Sequence, residues 1–170
     1  MTKLLWQPDE ERIKATNMYR FMTRVNETYG RDFSSYTPLW EWSVENLSDF
    51  WETAWDFLDI KAFQPYEKVL KDPGKMPGAR FFVNSKLNFA QNLLRFQDDR
   101  TALIFRGEDQ VRRELTYKQL YQKVAQVAAS LKASGIRKGD RVVGFVPNMP
   151  ESIVAMLAAT SLGAIWSSCS

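Results

Sequence analysis

The chain has 170 residues, enough for one ordinary domain with no guarantee of two, and its 45% apolar and 25% charged content is globular, not disordered. Its 23 basic and 20 acidic residues leave a formal charge of +3, too small and too dispersed an excess to specify nucleic acid. No histidine occurs, which excludes histidine acid–base chemistry and most transition-metal sites from this polypeptide, and the single cysteine, Cys169, excludes an internal disulfide.

The opening, MTKLLWQPDEERIK, has too short an apolar run for a signal peptide, and acids follow at once. No stretch approaches the roughly 18 apolar residues of a membrane span. With one cysteine, the expected location is a reducing compartment, the cytoplasm. Pro8 and Asp9 start a predicted helix over residues 9–29, with Met18, Phe21, Met22 and Val25 at helical spacing and Gly30 ending it. Ser43 is expected to cap the next helix, whose apolar stripe runs through Leu47, Phe50, Trp51, Ala54, Phe57 and Leu58. A stripe on so short a helix has value only when docked, on the rest of the chain in preference to a separate protein. Five of the six tryptophans (Trp6, Trp40, Trp42, Trp51 and Trp55) fall in this first third and read as core or intrachain docking surface, ahead of a ligand or membrane role.

Residues 71–78, with Pro73, Gly74, Pro77 and Gly78, read as a linker that separates a helical front, residues 1–78, from residues 79–170. Residues 79–96 alternate apolar and amide side chains, with Asn84, Asn88 and Asn92 spaced by four. On a helix the last two share a face, where they bind backbone or cap neighbouring elements; a structural use is expected ahead of a ligand ladder. Residues 101–106 and 112–115 form a predicted hairpin through Gly107, Glu108, Asp109 and Gln110. Thr116 opens a helix with a capping box, because Gln119 stands three residues on. Leu120, Val124, Val127, Ala128 and Leu131 supply its buried stripe, and Gly135 ends it.

Val142, Val143, Phe145 and Val146 form a near-continuous run expected of a strand covered on both faces. Pro150 tolerates the first position of a helix over residues 150–162, Gly163 suits its left-handed C-cap, and residues 164–169 read as a second strand. Two strands joined by such a helix pair parallel through a right-handed crossover. The helix carries little polar face and is expected to be buried between layers. Two parallel strands alone leave hydrophobic ladders uncovered. The chain therefore reads as the front of a larger α/β domain, with most of its chemistry beyond Ser170.

Phosphate-binding motifs are absent from this pattern. Gly139 and Gly144 have the spacing of a phosphate loop, but Phe145 and Val146 stand where lysine and a hydroxyl residue belong, and no G-x-G-x-x-G occurs. Ser167, Ser168 and Ser170 lie at the carboxyl end of the second predicted strand, where open α/β sheets bind ligands, and are the best site candidates. No general base is visible to activate them, and small residues there also allow close packing. Cys169 reads as a buried, inert thiol in preference to a nucleophile.

The run PGARFFVNSKLNFAQNLL from Pro77, with Leu87, Asn88, Asn92 and Leu93 in an L-N-x-x-x-N-L pattern, resembles the N-terminal signature of short-chain acyl-CoA synthetases. DDRTALIFRGE and the stretch from RRELTY to the end resemble the opening of the adenylate-forming enzymes. Within that superfamily the ending GAIWSSCS is similar to the acetoacetyl-CoA synthetases, since the acetyl-CoA enzymes carry a glycine-containing sequence there. The likeness covers nearly the whole chain. It implies an α/β fold: an N-terminal helical extension (residues 1–78), then the first strands and helices of the large AMP-binding domain (residues 79–170), a layered α/β sandwich that is incomplete as given.

The resemblance also implies a two-step ligase, in which ATP adenylates the carboxylate of acetoacetate and CoA then displaces AMP. ATP, Mg²⁺ and CoA belong to the intact enzyme, and none is expected to bind this chain tightly. The family's phosphate loop, Mg²⁺-holding acid, ribose aspartate and C-terminal lysine have no counterpart here, so no catalytic or metal-binding residue is carried over. The resemblance implies that Ser170 lies at the edge of the CoA channel. Two alternatives stand beside this reading: an acetyl or propionyl synthetase, and a stand-alone interaction or oligomerisation module that self-associates through its unfinished sheet edge.

Overall fold

Side-chain caps begin four of the helices in the computed structural model, which describes residues 5–169. The Asp9 carboxylate accepts from the Arg12 amide at 2.7 Å and starts α1 (Glu10–Lys14). The single helix expected over residues 9–29 is in fact two. The Thr16 hydroxyl donates to the Ile13 carbonyl at 2.7 Å and accepts from the Tyr19 amide at 3.1 Å, so it ends one helix and caps α2 (Asn17–Tyr29). Gly30 closes α2 in the left-handed conformation, φ 61°. Ser43 does not cap a helix. It lies inside α3 (Tyr36–Glu45), an element the sequence reading missed, and its hydroxyl donates back to the Trp40 carbonyl. Pro38 is tolerated there because it falls in the first turn, where no backbone donor is lost. Asn46 then ends α3 and begins α4 (Leu47–Phe57).

The chain divides into two compact units, and segments 5–60 and 66–85 make the first. Its core holds Met22, Val25, Leu39 and Trp42, with Tyr19, Phe21, Tyr29, Phe33 and Phe50 packed around it. The α4 stripe is used within this unit: Phe50 and Phe57 set their rings edge-on to Phe21, with centroids at 5.8 and 5.2 Å. Trp51 packs on Phe81 and Trp55 on Phe82, whereas Trp6 and Trp40 face solvent. Residues 71–78 are not a linker. They join β1 (Lys68–Lys71) to β2 (Arg80–Val83), antiparallel with Leu70 opposite Phe81, because pairing the two short strands folds the Pro/Gly stretch into a hairpin connection.

Segments 61–65 and 86–169 make the second unit. It contains α5 (Phe89–Leu93), the antiparallel hairpin of β3 (Thr101–Gly107) and β4 (Val111–Thr116), and α6 (Tyr117–Ala133). β5 (Arg141–Phe145), α7 (Pro150–Ser161) and β6 (Ile165–Cys169) complete it. The α6 capping box forms as read: Gln119 N donates to Thr116 Oγ1 at 3.2 Å and Thr116 N to Gln119 Oε1 at 2.9 Å. Thr116→Ala removes the hydroxyl that accepts from Gln119 N, while the bond from the residue 116 N–H to Gln119 Oε1 can still form, and thermal or urea unfolding is expected to register a loss of about 1 kcal/mol. The core comprises Ala90, Leu94, Leu120, Val124, Val154, Leu157 and Ala158, so α7 is the central element of the unit.

β5 and β6 pair parallel, with Val142 opposite Trp166 and Val143 opposite Ser167. Paired residues share a face. The face holding Val142 and Trp166 is half-buried, and α7 packs against both strands. The opposite face is open: Val143 is 70%, Phe145 83% and Ile165 55% exposed. The strand expected to be covered on both faces is therefore covered on one, because no described segment lies over the other. For the same reason Cys169, expected to be buried, is exposed.

Candidate functional site

The carboxyl end of the parallel pair is where the sequence places its site candidates. Pairing continues one step past β5, since Val146 N donates to the Cys169 carbonyl at 3.0 Å. The chain then turns through Pro147 and Asn148, and Ser152 Oγ donates to the Pro147 carbonyl at 2.6 Å, closing the turn onto α7. Pro150 occupies the first helical position, as read. Ser167 and Ser168 are exposed, beside Val143 and Gly144 in the register, and neither makes a side-chain hydrogen bond with another described residue. Ser170 lies outside the described residues. An open pocket of about 320 Å³ lies nearby, between β3 residues 103–106 and Asn148, Met149, Pro150 and Ile153.

Glu151 in the first turn of α7 meets Arg113 from β4 in a two-pronged pair, Nη1–Oε1 2.7 Å and Nη2–Oε2 3.0 Å. The guanidinium also lies over the Phe105 ring, 5.2 Å from its centroid. Its hydrogen bonds hold the Glu151 carboxyl below its ordinary pKa, while partial desolvation opposes them. A lowered carboxylate contributes stability above its unfolded pKa of about 4.3 and loses it as pH falls through the lower folded value. The pair is half exposed, so the effect is small. Glu151→Gln is expected to lower the Tm slightly at pH 7 and to leave it close to that of the parent chain at pH 3, so that the acid-side loss of Tm is smaller by the same small amount. An acid profile identical to that of the parent chain would show the pair to be energetically silent. Sequence reading missed this pair; a first-turn acid after Pro150 is a legible signal, but its partner 38 residues away is not.

The amides of the L-N-x-x-x-N-L pattern are structural. Asn88 Oδ1 accepts from Gln91 N at 3.1 Å, capping α5, while its Nδ2 donates to the Thr160 carbonyl at 2.9 Å in the last turn of α7. Asn92 uses its whole carboxamide: Oδ1 accepts from Lys61 N at 2.9 Å, and Nδ2 donates to Lys61 O at 2.9 Å and to Asn88 O at 3.0 Å.

A sequence profile described as AMP-binding enzyme matches residues 89–170, and one described as Acetyl-coenzyme A synthetase N-terminus matches residues 36–93. The acetoacetyl-coenzyme A synthetase of Rhizobium meliloti is 45% identical over 166 residues, covering 98% of this chain and 25% of that protein. The acetoacetyl-CoA synthetase of Rattus norvegicus is 40% identical over 172 residues, 99% of this chain and 25% of that protein. Among solved structures, the acetoacetyl-CoA synthetase from Streptomyces lividans superposes with a TM-score of 0.86 at 38% identity, over 99% of this chain and 26% of that one. Together the two profiles match residues 36–170, and the chain is similar to acetoacetyl-CoA synthetases along nearly its whole length.

It spans about a quarter of the length of the curated relatives it matches, corresponding to their N-terminal part. The mixed α/β fold agrees with the synthetase resemblance read from the sequence. The two profile matches overlap at residues 89–93, which are α5, the helix that Asn88 caps and from which Asn92 reaches Lys61. The described residues do not fit a metal–triphosphate site. Among the described residues no group of three or more His, Cys, Asp or Glu could hold a metal ion, and the β5–α7 turn offers prolines where a phosphate loop offers glycine amides. Exposed hydroxyls at the sheet end, those of Ser167 and Ser168, can bind or pack against a ligand. No helix among the described residues is long and apolar enough to cross a membrane.

Proposed function

We propose that this polypeptide serves as the N-terminal portion of an acetoacetate–CoA ligase, which forms an acyl-adenylate from ATP and transfers the acyl group to CoA, and that alone it does not turn over. The observation that carries the reading is the 45% identity to an acetoacetyl-coenzyme A synthetase across 98% of this chain, a span that is only a quarter of that protein. In this reading ATP, Mg²⁺ and CoA serve the intact enzyme in the cytoplasm, and the residues that do chemistry on them lie outside this chain. Residues 1–78 correspond to the helical extension and residues 79–170 to the opening of the AMP-binding domain, with β2 pairing back onto the extension. Ser170 is proposed to lie at the rim of the CoA channel, since it follows the exposed end of β6.

The test is a chimera in which this chain replaces the matching N-terminal quarter of the Rhizobium meliloti enzyme. The chimera is expected to release pyrophosphate with acetoacetate and CoA, and to prefer acetoacetate to acetate or propionate. The isolated chain is expected to release none. A folded chimera without activity, or turnover by the chain alone, would overturn the proposal. A folded chimera favouring acetate would favour the acetyl reading.

A further inference from the structure

Residues Lys61–Pro65 belong to the second unit although the chain immediately before and after them belongs to the first. None of the five is buried, and Phe63 is 73% exposed. Apolar burial, which stabilises the rest of the unit, therefore contributes little to holding this segment. Hydrogen bonds fasten it, at Lys61 and at Phe63 and Gln64. One partner is the Asn92 carboxamide on the Lys61 main chain, which engages both the N–H and the carbonyl. Another is Lys86, whose carbonyl accepts from Phe63 N at 2.7 Å and Gln64 N at 3.2 Å, and whose N–H donates to the Gln64 carbonyl at 3.0 Å. Lys61 and Phe63 form one wall of an open cleft of about 550 Å³, whose other walls include Asn88, Gln91, Leu94 and Tyr121.

We propose that residues 61–65 are a releasable strap, latched by Asn92, that opens and recloses along this cleft without unfolding the helices beneath it. Segments held by surface hydrogen bonds over few buried contacts open at lower free energy than a packed core. The core under the strap is fastened differently: Ala90, Leu120, Val124 and Leu157 belong to one apolar cluster, and no residue of the strap is among its members. Asn92 suits a latch because its carboxamide is fully paired when closed, and its third bond, to Asn88 O, stays within its own helix region and survives opening. The side chain is thus kept aimed at Lys61, ready for reclosure.

Hydrogen exchange of the 170-residue chain, followed amide by amide, tests this. In the parent chain the Lys61, Phe63 and Gln64 amides are expected to exchange slower than free peptide yet at least tenfold faster than the Val124 and Leu157 amides. Asn92→Ala is expected to speed the strap amides about tenfold or more, from the loss of two hydrogen bonds, with Val124 and Leu157 unchanged. Asn92→Asp keeps the acceptor for Lys61 N and loses the donor to Lys61 O, so it is expected to fall between the two. Strap and core amides exchanging together in the parent chain would overturn the proposal. So would unchanged strap rates in Asn92→Ala, or an equal loss of protection in strap and core.

Discussion

Leu157→Ala is expected to lower the unfolding free energy by about 3 kcal/mol, from the usual 2–5 kcal/mol range for such truncations. Leu157 is 2% exposed and sits on α7, which supplies Val154, Leu157 and Ala158 to the core of the second unit. Its neighbours in that cluster include Ala90 and Ala158, both fully buried and too short to move into the space left behind. Most of the cavity therefore persists, and the cost exceeds the transfer free energy of the deleted carbons alone. Urea unfolding monitored by circular dichroism should show a lower midpoint at unchanged slope. A loss under 1 kcal/mol would mean that α7 is not packed as described.

Gly144→Ala is expected to cost 1–3 kcal/mol, in the range of overpacked sites, although it adds only one methyl group. A Cβ at Gly144 would stand 2.6 Å from Trp166 Cη2 and 3.0 Å from Cζ2, closer than real contacts allow. The indole of the neighbouring strand lies over the glycine, so β5 leaves open the space that β6 fills. Trp166 could relieve the clash only by swinging its ring away from that half-buried face. The decisive measurement is a double-mutant cycle: Trp166→Leu alone costs its own packing, but Gly144→Ala added to it should cost well under 1 kcal/mol. Equal costs in the two backgrounds would show that the glycine is there for another reason.

The candidate site divides in the same way between what could be read and what could not. The order of strand, proline turn, apolar helix and strand placed Ser167 and Ser168 at a carboxyl sheet end. The exposure of Ser167 depended on its face of β5 and β6 being bare, which no periodicity reveals. A run such as Val142, Val143 and Phe145 looks alike whether one face is covered or both. Asn88 and Asn92 could be expected to bind backbone from their spacing; that one would fasten the end of α7 and the other the strap at Lys61 could not.

What the sequence by itself determined is the set of features carried by residues within one helical turn of each other. Thr116 with Gln119, Pro150 at a helix start, Gly30 and Gly163 at helix ends, and the α6 and α7 stripes are of this kind. Thr16 belongs with them, since its capping signal stood in the sequence even though the helix was read through it. Tertiary structure alone decided that residues 71–78 turn a hairpin, that Ser43 falls inside a helix, that Arg113 reaches Glu151 and that Trp166 covers Gly144. The reason is range: capping and periodicity act between residues a few positions apart, whereas strand partners, ion pairs and covered faces depend on which distant segments the burial of apolar surface brings together.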